Sequence, residues 1–231
     1  MTFDDVLAMV KLAEPGMREV DWRHEAARAS RFPLASQRNE QLRIATLIVR
    51  PSNGRIEDAL FLEDIRNETR VACRDMIYGR YLCAHAIAVE LARELFVPRV
   101  RHPELGTKLD VVEIDEFLAS TLPAISLASR RRTRSAAVTE FVRAGVLRGS
   151  WRSGLSVVGA ASLHPKAFAH LLIDDLRVRG DATDAWIATE STPTVVFALQ
   201  PDRVHLLLDE IVELGLVRRS YLAGRPRVLL A

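Results

Sequence analysis

"PDRVHLLLDEIVELGLVRRSYLAGRPRVLLA", residues 201 to 231, decides the fold class. Pro201 stands where a helix begins and Asp202 in its first turn, the end at which a carboxylate favours the helix dipole. Val204, Leu207, Leu208, Ile211 and Leu214 recur at three- and four-residue spacings as one apolar stripe, and Gly215 stops the helix. Two β-prone runs follow, 216 to 221 and 225 to 230, separated by Ala223-Gly224 as a turn. A helix leading into a two-stranded hairpin is the outline of a winged-helix C-terminus.

Working back from that segment, most of the chain reads as helix with short punctuation. The expected fold is mainly α: a helical bundle with helix-turn-helix or winged-helix-like units and a small C-terminal β-hairpin. Pro165 and Gly180 bracket a helix over 164 to 179, while "DATDAWIATESTPTV" (181 to 195) reads as irregular. Ala137, Phe141 and Ala144, flanked by Val138 and Val142, predict a helix over 133 to 145, with Gly145 as a left-handed cap. "DVVEIDEFLASTL" predicts a short acidic helix. Helices are also expected at 3 to 13, 18 to 31 and 36 to 50. Between 56 and 97 only Gly79 interrupts, so one long bent helix or two abutting ones are expected there. The Pro/Gly-containing connection 98 to 109 suggests a helical N-terminal domain, 1 to 100, and a C-terminal domain, 101 to 231, ending in the hairpin. No internal repeat is evident.

The chain of 231 residues is 48% hydrophobic, enough for real cores, and its net charge of +2 means that any basic footprint has to be local. Such a footprint exists. Arg130, Arg131, Arg132, Arg134, Arg143, Arg148 and Arg152 face one carboxylate, Glu140, across 130 to 152, and Arg218, Arg219, Arg225 and Arg227 face none across 215 to 231. Arginine supplies nearly all the positive charge, Lys11, Lys108 and Lys166 being the only lysines. A high-GC genome produces the same bias, yet the planar guanidinium fork also suits phosphates and guanine edges. Each phosphate neutralised releases counterions, so both clusters are candidate contacts to double-stranded DNA. Few aromatics are present to stack on bases, which favours a duplex over a single strand.

Catalysis has little support. The histidines at 24, 85, 102, 164, 170 and 205 lack metal-ligand spacing, and no Walker loop, dinucleotide fingerprint or nucleophile elbow occurs. Glu113, Asp115 and Glu116 could hold a divalent ion, but no catalytic lysine accompanies them. No catalytic residue, metal, cofactor or small-molecule substrate is expected. Cys73 and Cys83 lack a Cys-x-x-Cys partner and read as reduced thiols. The acidic start "MTFDDVLAMVKLAEPGM" is unlike a signal peptide, and no window approaches the ~18 apolar residues of a membrane span. A cytoplasmic protein without a membrane partner is expected.

Taken together, "YLCAHAIAVELARELF", "SRRRTRSAAVTEFVRAGVL" and "PDRVHLLLDEIVELGLVRRSYLAGRPRVLL" resemble, in their order of elements, the BrxA family of BREX phage-defence systems. The resemblance covers about 36 to 231 and carries no residue-level signature. It implies a non-enzymatic duplex-DNA-binding component that acts beside an adenine methyltransferase and other defence proteins. Two other readings of the same residues are a protein adaptor without DNA binding and a winged-helix transcriptional regulator.

Overall fold

The computed structural model describes residues 3–31, 34–150, 153–222 and 225–231; the side chains of residues 222 and 225, like the turn expected at 223 to 224 and Arg152, lie outside the described residues. The protein is mainly helical with two small three-stranded antiparallel sheets. None of the described helices is long and apolar enough to cross a membrane. Two compact units divide the chain, Met1–Ala84 and His85–Ala231, a boundary earlier than the connection at 98 to 109.

The first unit is helical: α1 (Phe3–Lys11), α2 (Glu19–Ala29), α3 (Ala35–Val49), α4 (Ala59–Asn67) and α5 (Arg70–Cys83). Val6, Met9, Trp22, Ile48, Phe61, Ile65 and Ile77 form its core, and the Trp22 indole donates to the Met9 carbonyl at 3.0 Å. The breaker-free run after residue 56 is not one long helix. Thr69 interrupts it by accepting from the Ala72 N–H at 3.3 Å and capping α5. Gly79 lies buried inside α5.

The second unit opens with α6 (Ala86–Leu91), a π-helical turn (Ala92–Phe96) and α7 (Val97–Arg101). Pro98 does not end this stretch. The wider turn, in which the Val97 N–H donates to the Ala92 carbonyl, carries the chain past a residue that has no N–H to give. There follow β1 (Lys108–Leu109), α8 (Val111–Thr121), α9 (Leu127–Arg143), β2 (Leu147–Ser150) and β3 (Gly154–Val157), with sheet order β1-β3-β2. After a connection come α10 (Pro165–Arg179), β4 (Asp181–Ala182), α11 (Asp184–Glu190), α12 (Thr192–Val196), α13 (Pro201–Glu213), β5 (Val217–Leu222) and β6 (Arg225–Leu230), in the order β4-β6-β5.

Both series run helix, strand, helices, strand, strand, with the last strand central in its sheet. This is winged-helix topology twice over, and it replaces the absence of repeats with a duplication. Leu109 pairs with Leu155 and Leu147 with Val157 in the first sheet; Ala182 pairs with Val228 and Val217 with Leu230 in the second. The connection between strand and second helix is also shared: Asp110 caps α8 by accepting from the Val112 N–H at 2.9 Å, and Thr183 caps α11 by accepting from the Trp186 N–H at 3.1 Å.

Residues 181 to 195, expected to be irregular, thus hold a strand and two helices. Their stability is tertiary. Asp175, on α10, accepts from the Thr192 N–H at 2.7 Å and its hydroxyl at 2.6 Å, capping α12 from outside. The buried Ser191 and Thr194 hydroxyls both donate to the Ile187 carbonyl at 2.7 Å.

Candidate nucleic-acid interface

The third helix of a winged-helix module, with the hairpin beside it, is the part that meets a duplex in the DNA-binding members of this architecture. In the first module these are α9 and the β2–β3 wing. Ser126, not a residue near 133, starts α9: its hydroxyl accepts from the Ser129 N–H at 3.2 Å. All four arginines of 130 to 134 therefore lie inside the helix. Phe141 anchors the opposite face, its ring edge-to-face with that of Phe96 at 4.8 Å between centroids.

The candidate arginines fall into distinct groups. Arg134 is half-buried and ion-paired with Asp115, tying α9 to α8. Arg143 pairs with the buried Glu140 at 2.9 Å. Arg219 donates to Asp209 at 2.6 Å and to Asp184 at 3.3 Å, joining β5 to α13 and α11. Arg227 reaches Asp181 at 3.4 Å across the β4–β6 ladder. Arg130 is half-buried. Exposed, and without a carboxylate partner among the described residues, are Arg131 and Arg132 on α9, Arg148 on β2 and Arg218 on β5. Arg152 and the Arg225 side chain lie outside the described residues.

Sequence reasoning thus found the basic clusters and Glu140, but not the carboxylates that pair with Arg134, Arg219 and Arg227, because those partners arrive from other elements. The acidic helix is likewise committed to the fold. Glu113 accepts from the Asp110 N–H at 2.9 Å and pairs with Arg99, and Asp115 holds Arg134. No cluster of His, Cys, Asp or Glu suited to a metal ion occurs among the described residues.

The exposed face of α9 carries Arg131, Arg132, Ser135, Ala136, Thr139 and Arg143. Small side chains at its middle allow close approach, and guanidinium groups flank them. Arg131 and Arg132 sit in the second turn of α9, past the first turn in which the helix dipole acts, and hold no carboxylate among the described residues. Burial pushes the Glu140 carboxyl above its usual value, against the opposing attraction of Arg143.

The second module is locked to the first. Arg101 donates to the Thr189 carbonyl at 2.8 Å and the Ala188 carbonyl at 3.2 Å; the Ala160 N–H donates to the Phe197 carbonyl at 2.9 Å; Arg203 donates to the Leu163 carbonyl at 3.1 Å. Gly159 is required at this junction, since a Cβ there would lie 2.5 Å from the Ala198 carbonyl oxygen. The fold comprises two winged-helix-like modules in tandem. No family model, curated protein or solved structure matches the chain.

Proposed function

We propose that the protein is a non-enzymatic double-stranded DNA-binding protein that engages the duplex through α9 and the β2–β3 wing of its first module. The observation that carries this reading is the pair Arg131 and Arg132, both exposed and without a carboxylate partner among the described residues. Arg148 on the adjacent wing strand extends the basic surface, and the helix face between the arginines is small enough to enter a groove. Contacts of this kind are mainly to phosphate, so general duplex affinity is expected rather than one operator sequence.

The resemblance to the BrxA family supports placing this binding within a bacterial phage-defence system, beside a methyltransferase. Gel-shift titration of a short generic duplex over a range of salt tests the binding itself. Loss of Arg131 and Arg132 together to alanine is expected to lower the salt slope by about 2. Undetectable affinity at low salt, or a slope unchanged by that variant, rejects the reading.

A further inference from the structure

The duplication supplies an internal comparison. One constant shift carries Glu140-Phe141-Val142-Arg143-Ala144-Gly145 onto Glu210-Ile211-Val212-Glu213-Leu214-Gly215, and the helix ends superpose bond for bond. The Gly145 N–H donates to the Val142 carbonyl at 3.1 Å and the Val146 N–H to the Phe141 carbonyl at 3.0 Å; the Gly215 N–H donates to the Val212 carbonyl at 2.9 Å and the Leu216 N–H to the Ile211 carbonyl at 3.0 Å. The same shift carries the exposed face of α9 onto that of α13. Arg131 corresponds to Pro201, Arg132 to Asp202, Ser135 to His205, Ala136 to Leu206, Thr139 to Asp209 and Arg143 to Glu213, every one of the twelve being exposed.

The buried positions keep their character, Val138 matching Leu208 and Phe141 matching Ile211. Among the exposed ones the positive charge is lost or reversed. Two arginines become carboxylates, a neutral threonine becomes a third, and the alanine that permits close approach becomes a leucine 57% exposed. Asp202 also favours the helix dipole at its N-terminal turn, so its position is compatible with the fold as well. Glu213 is different: it lies in the last turn of α13, the negative end, where its equivalent Arg143 is favourably placed and a carboxylate is not. Asp209 is held on the face by Arg219, so an arginine that would otherwise reach phosphate serves to position a carboxylate.

We propose that Asp202, Asp209 and Glu213 are specificity determinants that exclude the second module from DNA and confine the chain to one duplex contact, made through the first. Carboxylates on the face that would enter the groove oppose the phosphates, and Leu206 adds bulk where α9 has a methyl group. This rests on the reading of α9 as the duplex-binding helix. The tandem modules then do not act as two equivalent readers, and the α13 face stays in solvent when the α9 face is covered.

The test grafts the first module's face onto the second, combining Asp202→Arg, Leu206→Ala, Asp209→Thr and Glu213→Arg in the full chain. Duplex affinity, salt slope and stoichiometry are measured for wild type, graft and the Arg131→Ala/Arg132→Ala variant. Wild type is expected to bind one duplex site per chain. The graft is expected to gain a second site, seen as two duplexes per chain or a longer footprint, with overall affinity up about tenfold and a slope steeper by about 2. Asp202→Asn/Glu213→Gln, which keeps the side-chain shapes, is expected to tighten binding in the same direction by a smaller factor, and guards against misfolding of the graft.

Stoichiometry, affinity and slope unchanged in both α13 variants, while the α9 variant loses binding, overturns the exclusion and leaves the duplex reading standing. Wild type that already engages two sites overturns the exclusion as well. Wild type without duplex affinity overturns both.

Discussion

Arg80 shows what a single arginine does when the fold encloses it. Only 1% of its side chain is exposed; it pairs with Asp58, donates to the Ile48 carbonyl at 3.2 Å and stacks 3.6 Å above the Phe61 ring. Asp58 also caps α4 through the Phe61 N–H at 3.4 Å. Arg80→Met is expected to cost about 3–5 kcal/mol in urea unfolding, since a carboxylate near the core loses its counterion. Adding Asp58→Asn is expected to restore part of that loss, and simple additivity of the two would show that the pair is uncoupled. Glu140 offers a second residue-scale test, through pH. Its folded value is raised by burial, so the stability it contributes is fully present below its unfolded value and lost as pH rises through the folded one. Asp175, raised likewise by burial, adds a limb of the same sign, so the difference between wild type and Glu140→Gln is the quantity to read. Denaturation between about pH 4 and pH 7 is expected to show a shallower fall in the variant; parallel curves would assign the limb elsewhere. Arg80 does not stand out in the sequence, because what distinguishes it from its neighbours is the carboxylate of Asp58, which comes from the start of another helix.

At the scale of elements, the sequence is legible where amphipathic period and punctuation agree. α13, its Gly215 stop and the strands β5 and β6 follow from Pro201, the apolar stripe and the β-prone runs. It is illegible where an element is too short to have a period. β1 and β4 have two residues each and exist because β3 and β6 offer an edge, while α12 depends on Asp175 of α10. The β2–β3 wing escaped notice for a related reason: Gly149 and Gly154 look like loop residues. Gly149 adopts φ +100°, and a Cβ there would run into the Gly154 carbonyl oxygen. Gly149→Ala is therefore expected to destabilise by about 1–3 kcal/mol and to unpair β2 from β3. Hydrogen exchange reads this directly, with protection lost at β2–β3 amides and kept at β5–β6. The equivalent position in the second wing is Arg219, whose side chain the strand accommodates, so Arg219→Ala is expected to leave that ladder paired. Equal loss of protection in both wings would mean that the two sheets unfold as one.

For the whole molecule, a net charge of +2 conceals a sorted distribution. Local sequence counts made the tracts 130 to 152 and 215 to 231 two candidate basic patches. The fold separates them into arginines that bind carboxylates and arginines that do not, and it puts acidic residues on the second module's counterpart of α9. Composition reveals the excess of arginine; only tertiary structure assigns each one a partner, which is why the site was legible as a region and not as residues. The distinction has a measurable consequence. Among the described residues Arg131 and Arg132 hold no carboxylate, so replacing them is expected to reduce the salt slope of duplex binding while leaving the melting temperature nearly unchanged. Arg134 and Arg219 hold Asp115, Asp184 and Asp209, so replacing them is expected to cost about 1 kcal/mol each in stability with little change in slope. The two pairs of variants, melted and titrated side by side, cross over if the sorting is right. A slope that falls as far for Arg134→Ala/Arg219→Ala as for Arg131→Ala/Arg132→Ala would mean that these ion pairs open and exchange carboxylate for phosphate. The duplex would then be held by the full basic tracts that the sequence suggests, and the unpartnered arginines of α9 would lose their special standing.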